Sequence, residues 1–412
     1  MELRLQQKKA IEVLSQANRG IIAMAPGSGK TLIQIHDSKR IFEQSEEPQT
    51  VVVVAPRILL ASQLSFDYGK HINCAKYLHV HSKIGKVNHY HTTDKENIRQ
   101  WCEIHKEHHK LIFTTYHSLK KIYKSGITVN TYMFDESHNS TSAGFHEYVK
   151  KVSDNNQRCF HFSGTPRFSR APKNPKKTKK PGMNDPVYGE IIVKATAAEM
   201  IKHGYILKPR VISHYLEWVE ERTAQHDATD ILNIIKTYNL SKLLINVRKT
   251  SNMMEMLSET NFQESLRELG YDLLHITSNY GPVYNGKKIK RDRFFQLLDK
   301  LGESMDKKYV ILNYSILGEG INIKSLDAVL LLRQLNLIKL IQTIGRAIRL
   351  SSEDQRAIDN GSLKACDYMN YLKPEGLVII PVYDKRLLEQ SKSITTTVED
   401  VYEKGELPIM QV

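Results

Sequence analysis

Short β-branched or apolar runs recur along this chain with helix-length segments between them. The first half contains GIIAMAP, TVVVVAP, LIFTTY, YMFDES and CFHFSG, and the second contains KLLINV, YDLLHIT, YVILNY, DAVLLLR and GLVIIPVY. Near-continuous apolar runs, as opposed to alternating ones, mark strands covered on both faces, and a βαβα rhythm builds a parallel sheet between layers of helices. With 412 residues, the chain is long enough for two such sheets, each with its own core. The expected fold class is α/β, with two tandem domains, each a mainly parallel sheet flanked by helices.

Between the halves lies PRFSRAPKNPKKTKKPGMNDP, where Pro166, Pro172, Pro175 and Pro181 alternate with Arg167, Arg170, Lys173, Lys176, Lys177, Lys179 and Lys180, and no acid precedes Asp185. With almost nothing apolar to bury, the segment reads as a solvated loop. The same charge would also suit a grip on a phosphate backbone or a nuclear-import signal. After it, AAEMIKHGYILKPRV reads as a helix ended by Gly204 and then an extended crossing segment. This sets the expected domains at 1–205 and 206–412.

Apolar residues make up 41% of the chain and charged residues 25%, a globular composition. The start, MELRLQQKKAIEVL, has no apolar signal core, and the longest apolar runs fall far short of a membrane span. An intracellular setting, cytoplasmic or nuclear and not secreted, is therefore expected, with no membrane partner. Cys74, Cys102, Cys159 and Cys366 are widely separated, which suggests neither a disulfide framework nor a zinc ribbon. The formal net charge of +14 favours a polyanionic partner, nucleic acid first, because neutralised phosphates release counterions.

Gly27-Ser28-Gly29-Lys30-Thr31 follows the strand-like GIIAMA and precedes the helical TLIQIHDSKRIF, the strand-turn-helix context of a phosphate-binding loop. Glycines let backbone N–H groups turn toward phosphates, Lys30 reaches the β- and γ-phosphates, and the Thr31 hydroxyl ligates Mg2+. The full pattern has Gly where Met24 stands. Asp135 and Glu136 follow the strand-like TYMF, at the carboxyl end where open α/β sheets bind ligands. Phosphoryl transfer to water needs one carboxylate for the metal and a second group to orient and deprotonate the water; Asp135 and Glu136 supply both.

These pieces resemble the superfamily 2 helicases, most closely the DEAD/DEAH-like branch that includes XPB-type DNA helicases and the motor subunits of type III restriction enzymes. LRLQQKKAI resembles that branch's amino-terminal motif, MAPGSGKT motif I, VVVVAPRILLASQL motif Ia, FTTYHSL the strand-binding motif, DESH motif II and FSGTP motif III. In the second half KLLINVRKTSNM resembles motif IV, ILNYSILGEGINI motif V and QTIGRAIR motif VI, all in family order.

The resemblance implies two RecA-like domains with an ATP cleft between them. Gln7, helped by Arg4, would lie against the adenine edge; Gly320 would also touch the nucleotide. Gln342, Arg346 and Arg349 would act on the transferring phosphoryl group when the cleft closes. His138, Ser163 and Thr165 would couple nucleotide state to closure, and Arg57, Thr115, Tyr116, Thr277 and Ser278 would touch a nucleic-acid backbone. Motif V has Asn322 where the commoner form has Asp, which puts any metal or arginine contact of that carboxylate in doubt. The implied activity is an ATP-dependent DNA helicase or translocase, with ATP and Mg2+. An RNA helicase, or a duplex-binding remodeller that does not separate strands, are the alternatives. A small-molecule kinase would leave the motif VI arginines without a role.

Histidines crowd the first half, with two His-x-His pairs at His79/His81 and His89/His91. No Cys or acid recurs around them at a structural-zinc spacing, and on a strand such pairs would face solvent, so a metal site is the less favoured reading. Tyr280, Tyr284, Phe294 and Phe295 are expected in core packing rather than stacked on bases.

Overall fold

The apolar runs form strands as their composition demands, and all six residues of the TVVVVA strand are buried. The computed structural model describes residues 3–82, 89–154, 158–171, 179–277, 280–314, 323 and 325–411. Ser278, Gly320, Asn322 and the basic stretch 172–178 lie outside the described residues.

The chain divides into two compact units, Met1–Thr196 with Leu407–Val412, and Ala197–Glu406. The first holds β1 (Arg19–Met24), β2 (Thr50–Ala55), β3 (Ala75–Val80), β4 (Tyr90–His91), β5 (His109–Thr115), β6 (Thr131–Phe134), β7 (Arg158–Ser163), β8 (Arg167–Phe168) and β9 (Ile191–Ala195). Its main sheet has the order β4-β3-β5-β2-β6-β7-β1-β9, parallel throughout. Ile21, Val52, Val54, Ile112 and Phe134 of the sheet pack against Ile98, Trp101, Leu119, Ile122 and Val149 from three helices. Because β6, β7 and β1 are neighbours, the loops that leave their carboxyl ends emerge side by side.

The second unit holds β10 (Pro209–Tyr215), β11 (Lys242–Asn246), β12 (Tyr271–Thr277), β13 (Gly281–Tyr284), β14 (Lys287–Lys288), β15 (Lys308–Asn313), β16 (Ala328–Leu331) and β17 (Gly376–Val382). Its order is β10-β17-β16-β11-β15-β12-β13-β14. The pairings are parallel up to β12, and β13 and β14 are then added antiparallel. The β13–β14 turn is Asn285-Gly286, both at positive φ, the conformation that Asn-Gly hairpin turns favour. Ile231, Ile235, Met253, Met256, Phe262 and Leu266 cover Leu243, Ile245, Leu273, Val310, Leu312 and Leu330. Of the four aromatics, Phe294 is a core residue, while Tyr280 is exposed.

The division falls at Thr196/Ala197, ahead of the expected 205/206. The helix Ala197–Lys202 ends at Gly204, φ +70°, as its sequence implies, but it docks on the second unit. The Tyr368 hydroxyl donates to the Ile201 carbonyl at 2.8 Å, and a Cβ on Gly204 would lie 2.9 Å from the Cys366 nitrogen. At its far end the chain returns to the first unit, where β18 (Met410–Gln411) pairs in parallel with β8.

His79 and His81 are buried and do not face solvent. β3 is an inner strand of the sheet, and Ser65 of the helix Ile58–Gly69 meets the His79 ring on the face that carries it.

Candidate active site

β1 delivers the chain to Ala25, and the helix Lys30–Gln44 begins five residues later. In between, Gly27 and Gly29 have φ of +83° and +81°, a region that costs an L-residue about 1–2 kcal/mol. A Cβ on Gly29 would stand 2.2 Å from Gln7 Nε2, so a side chain there would displace the Gln7 amide as well as strain the backbone. The loop ends at a helix amino terminus, whose unpaired N–H groups and positive dipole end attract anions. Ser28 Oγ is buried without a hydrogen-bond partner, and Lys30 Nζ donates to the carbonyls of Met24 at 3.1 Å and Ala25 at 3.4 Å. A glycine cradle, a hydroxyl with no partner among the described residues and an ammonium resting on two carbonyls fit a polyphosphate.

Gln7 braces this loop. Its Nε2 donates to the Ser28 carbonyl at 3.0 Å, and its Oε1 accepts from the Arg4 N–H at 2.9 Å. Arg4 Nη1 donates to the Gly27 carbonyl at 3.3 Å. Both residues thus contact the phosphate loop directly, where the sequence reading had aimed them at adenine.

β6 ends at Phe134 and presents Asp135 and Glu136. Asp135 is buried, and Gln34, one turn into the helix behind the loop, donates Nε2–H to its Oδ1 at 3.0 Å. Burial, and then the neighbouring Glu136 charge, raise the Asp135 pKa, against which Lys30 and the Gln34 hydrogen bond act. Such a carboxylate gains from a cation, and Thr31 begins the same helix that holds Gln34. Glu136 has φ +43°, a left-handed conformation uncommon for a non-glycine residue and concentrated at functional sites. Gln34 was not legible as a site residue, since its partner lies far away in sequence.

His138, Ser163 and Thr165 come together as expected. His138 Nδ1 lies 3.1 Å from Ser163 Oγ, 3.4 Å from Thr165 Oγ1 and 3.5 Å from Glu136 Oε2. Asn139 Nδ2 sits 3.1 Å from His138 Nε2; donation there leaves the Nδ1–H to face Ser163 and Glu136. The Thr165 N–H donates to Ser163 Oγ at 3.1 Å. One imidazole therefore joins the carboxylate after β6 to the turn after β7.

Thr115 and Tyr116, expected on a nucleic-acid backbone, are buried. The Tyr116 hydroxyl donates to the Asp135 carbonyl at 2.9 Å, and Thr115 Oγ1 accepts from the Ser118 N–H at 3.3 Å. Both side chains pack into the wall behind the carboxylates. Arg57 is exposed, at the start of the helix Ile58–Gly69. Thr277 is buried and accepts from the Tyr280 N–H at 3.0 Å, so its hydroxyl shapes a turn.

In the second unit Gln342 and Arg346 lie on the helix Leu337–Ala347, and Arg349 follows its end. Gln342 is buried, and among the described residues neither of its amide atoms finds a hydrogen-bond partner; a buried amide left so would cost about 1–3 kcal/mol. The helix end is held from behind. Lys373 Nζ donates to the carbonyls of Ala347 and Arg349, and burial lowers its pKa to about 7. A Cβ on Gly376 would stand 2.6 Å from the Ala347 oxygen. Neither residue drew attention in the sequence.

Residues 1–168 match the family model described as type III restriction enzyme, res subunit. The matched residues lie within the first of the two units. No curated protein matches the chain. Among solved structures, the ATP-dependent Type ISP restriction-modification enzyme LlaBIII bound to DNA aligns with TM-score 0.71 and 17% identity over 100% of this chain. The chain spans 31% of that enzyme's length. The Mycobacterium smegmatis helicase Lhr bound to ssDNA and AMP-PNP aligns with TM-score 0.59 and 13% identity, over 99% of this chain and 49% of that one. Dbp5 of S. cerevisiae bound to RNA and ADP BeF3 gives TM-score 0.55 and 15% identity, over 99% and 89%. Among the described residues no helix is long and apolar enough to cross a membrane.

Proposed function

We propose that this chain is a nucleic-acid-dependent ATPase that couples ATP hydrolysis to movement on, or unwinding of, DNA inside the cell. One observation carries the reading. The adjacent strands β6, β7 and β1 deliver the carboxylate pair, the Ser163–Thr165 turn and the glycine loop to one sheet edge, with Gln34 and His138 tying them together.

In this reading Gly27, Ser28 and Gly29 hold the nucleotide phosphates on backbone N–H groups, with Arg4 and Gln7 keeping the loop in shape. Lys30 exchanges its two carbonyls for phosphate oxygens. Thr31 and Asp135 would hold Mg2+, which neutralises phosphate charge when bound. Glu136 takes a proton from the attacking water. Gln342, Arg346 and Arg349, with Gly320, serve the same nucleotide from the second unit; an arginine on the transferring phosphoryl group is worth about 10³–10⁵ in rate. His138, Ser163 and Thr165 pass the nucleotide state onward, and Arg57 contributes a backbone phosphate contact.

The DNA assignment is supported by the restriction-type family match, by the Type ISP structure bound to DNA and by the +14 charge. RNA is the second reading, favoured by the Dbp5 structure bound to RNA. The test is steady-state ATPase of the purified protein alone and with single-stranded, duplex and forked DNA and with RNA, at two salt concentrations. Stimulation by DNA and not RNA is the expected result. Stimulation by RNA alone replaces the substrate, and indifference to every polynucleotide sinks the motor reading.

A further inference from the structure

Three histidines outside the phosphate site converge near one edge of the first sheet. β3 and β4 pair in parallel with His79 opposite His91, and two-residue periodicity puts His81 on the same face as His79. One ring nitrogen from each of the three lies within 4.8 Å of the other two. The ring centroids are 4.5 Å apart for His79 and His91, 5.1 Å for His79 and His81, and 5.2 Å for His81 and His91.

We propose that His79, His81 and His91 bind one divalent transition-metal ion, with Zn2+ the natural occupant, and that the ion clamps β4 to β3. An all-imidazole donor set selects Zn2+, Cu2+ or Ni2+ over Mg2+ and Ca2+. His81 Nδ1 lies 2.9 Å from the Ser82 carbonyl oxygen; that oxygen only accepts, so Nδ1 carries the proton and Nε2 offers a lone pair. This lone pair is 3.0 Å from His79 Nδ1. Two nitrogens of a tetrahedral site with Zn–N of about 2.0–2.1 Å stand about 3.3 Å apart, so little movement is needed.

On the other side of the His79 ring, Nε2 is 3.0 Å from Ser65 Oγ. With metal bound, Nε2–H donates to Ser65 and leaves Nδ1 as the ligand, the outer hydrogen bond that metal-binding histidines use to fix their tautomer. Without metal the same atoms close a chain: the Ser65 hydroxyl donates to His79 Nε2, and His79 Nδ1–H donates to His81 Nε2. The two states differ by transfer of one proton from Nδ1 to Nε2 of His79 and a turn of the Ser65 hydroxyl, with no net proton released. Burial, then the neighbouring histidines, hold the His79 pKa down at about 3, and burial also lowers that of His81. β4 is two residues long and pairs with β3 alone, so an ion shared across that pair adds a bond where the backbone makes few.

The experiment titrates the chelator-stripped full chain with Co2+ and then Zn2+. One equivalent of Co2+ should produce the visible absorption of a tetrahedral nitrogen-rich site, Zn2+ should displace it, and Zn2+ should raise the melting temperature. His91→Gln, at a half-buried position, should lose the absorption and weaken Zn2+ at least about 10-fold, with the metal-free melt unchanged. His108→Gln, exposed and outside the cluster, should change neither. Absence of the band at one equivalent, or a His91→Gln protein that keeps the wild-type spectrum and affinity, overturns the proposal. Should His91→Gln also lower the metal-free melt, X-ray absorption of the zinc-loaded wild type decides: three imidazoles around the ion support the site and fewer refute it.

Discussion

Gln34→Leu isolates what the buried amide does for the metal-site carboxylate. Gln34 is fully buried, and its Nε2–H reaches Asp135 Oδ1 at 3.0 Å. Burial and Glu136 already push the Asp135 pKa up, and the Gln34 hydrogen bond is one of the terms that hold it down. A hydrogen bond to a charged group contributes on the order of 1.5–3 kcal/mol, and one pKa unit corresponds to about 1.36 kcal/mol. Replacing the amide by an apolar side chain of similar size should therefore raise the Asp135 pKa by a further ~1–2 units. A proton then competes with Mg2+ for the carboxylate. The assay is the pH profile of Mg2+-dependent ATP hydrolysis, together with Mg2+ titration of nucleotide-analogue binding. The acid limb should move up by about 1–2 pH units and move back partway at high Mg2+, because metal and proton exclude each other. An acid limb and a Mg2+ half-saturation that both stay at wild-type values would refute the reasoning, provided the variant melts normally.

Glu136→Gln keeps the side-chain length and an oxygen facing His138 but cannot take a proton, so turnover should fall about 10²–10⁴-fold while ATP binding persists; near-normal hydrolysis would end its assignment as the base. Lys30→Ala, by contrast, should lose nucleotide binding itself, as read by equilibrium titration. Acid stability tests the buried imidazoles. His79 and His161 each titrate near pH 3 in the folded first unit, because burial disfavours their charged forms, against 6.5 when exposed. Their folded pKa values are depressed, so stability is full above pH 6.5 and declines as pH falls toward 3. With one proton each taken up on unfolding of the metal-free protein, these two histidines together should contribute a loss of about 2.7 kcal/mol per pH unit through that window. Urea unfolding at stepped pH measures the slope, and one of about 1.4 kcal/mol or less per unit would mean that at most one histidine is held neutral.

The strands that were legible are those buried on both faces, where a run of residues must be apolar: β1, β2, β5, β6 and β7, and in the second unit β11, β12, β15, β16 and β17. β3 escaped notice because AKYLHV mixes Lys76 and His79 into its pattern, and burial of a histidine face shows only once the helix Ile58–Gly69 is in place. The β13–β14 hairpin carried a local signal in Asn285-Gly286 that could have found it. Lys30, Asp135 and Glu136 were legible because loop chemistry at strand ends is constrained locally. Gln34, the inward turn of Tyr116 and the Lys373 support behind Ala347 depend on partners from other elements, and no spacing rule reaches those. The docking of Ala197–Lys202 moved the domain limit for the same reason: Gly204 is a visible helix stop, but which core the helix joins is decided by Cys366 and Tyr368.

The return of the chain to its first unit has a mechanical meaning. The backbone passes from one unit to the other at Thr196/Ala197 and back at Glu406/Leu407. A chain that crosses between the units twice ties the second unit's sequence down at both of its ends. The returning end is anchored by the two-residue pairing of β18 with β8, and the Met410 N–H donates to the Pro166 carbonyl at 2.9 Å. Pro166 directly follows Thr165, so the returning end and the proposed coupling turn share a single stretch of backbone.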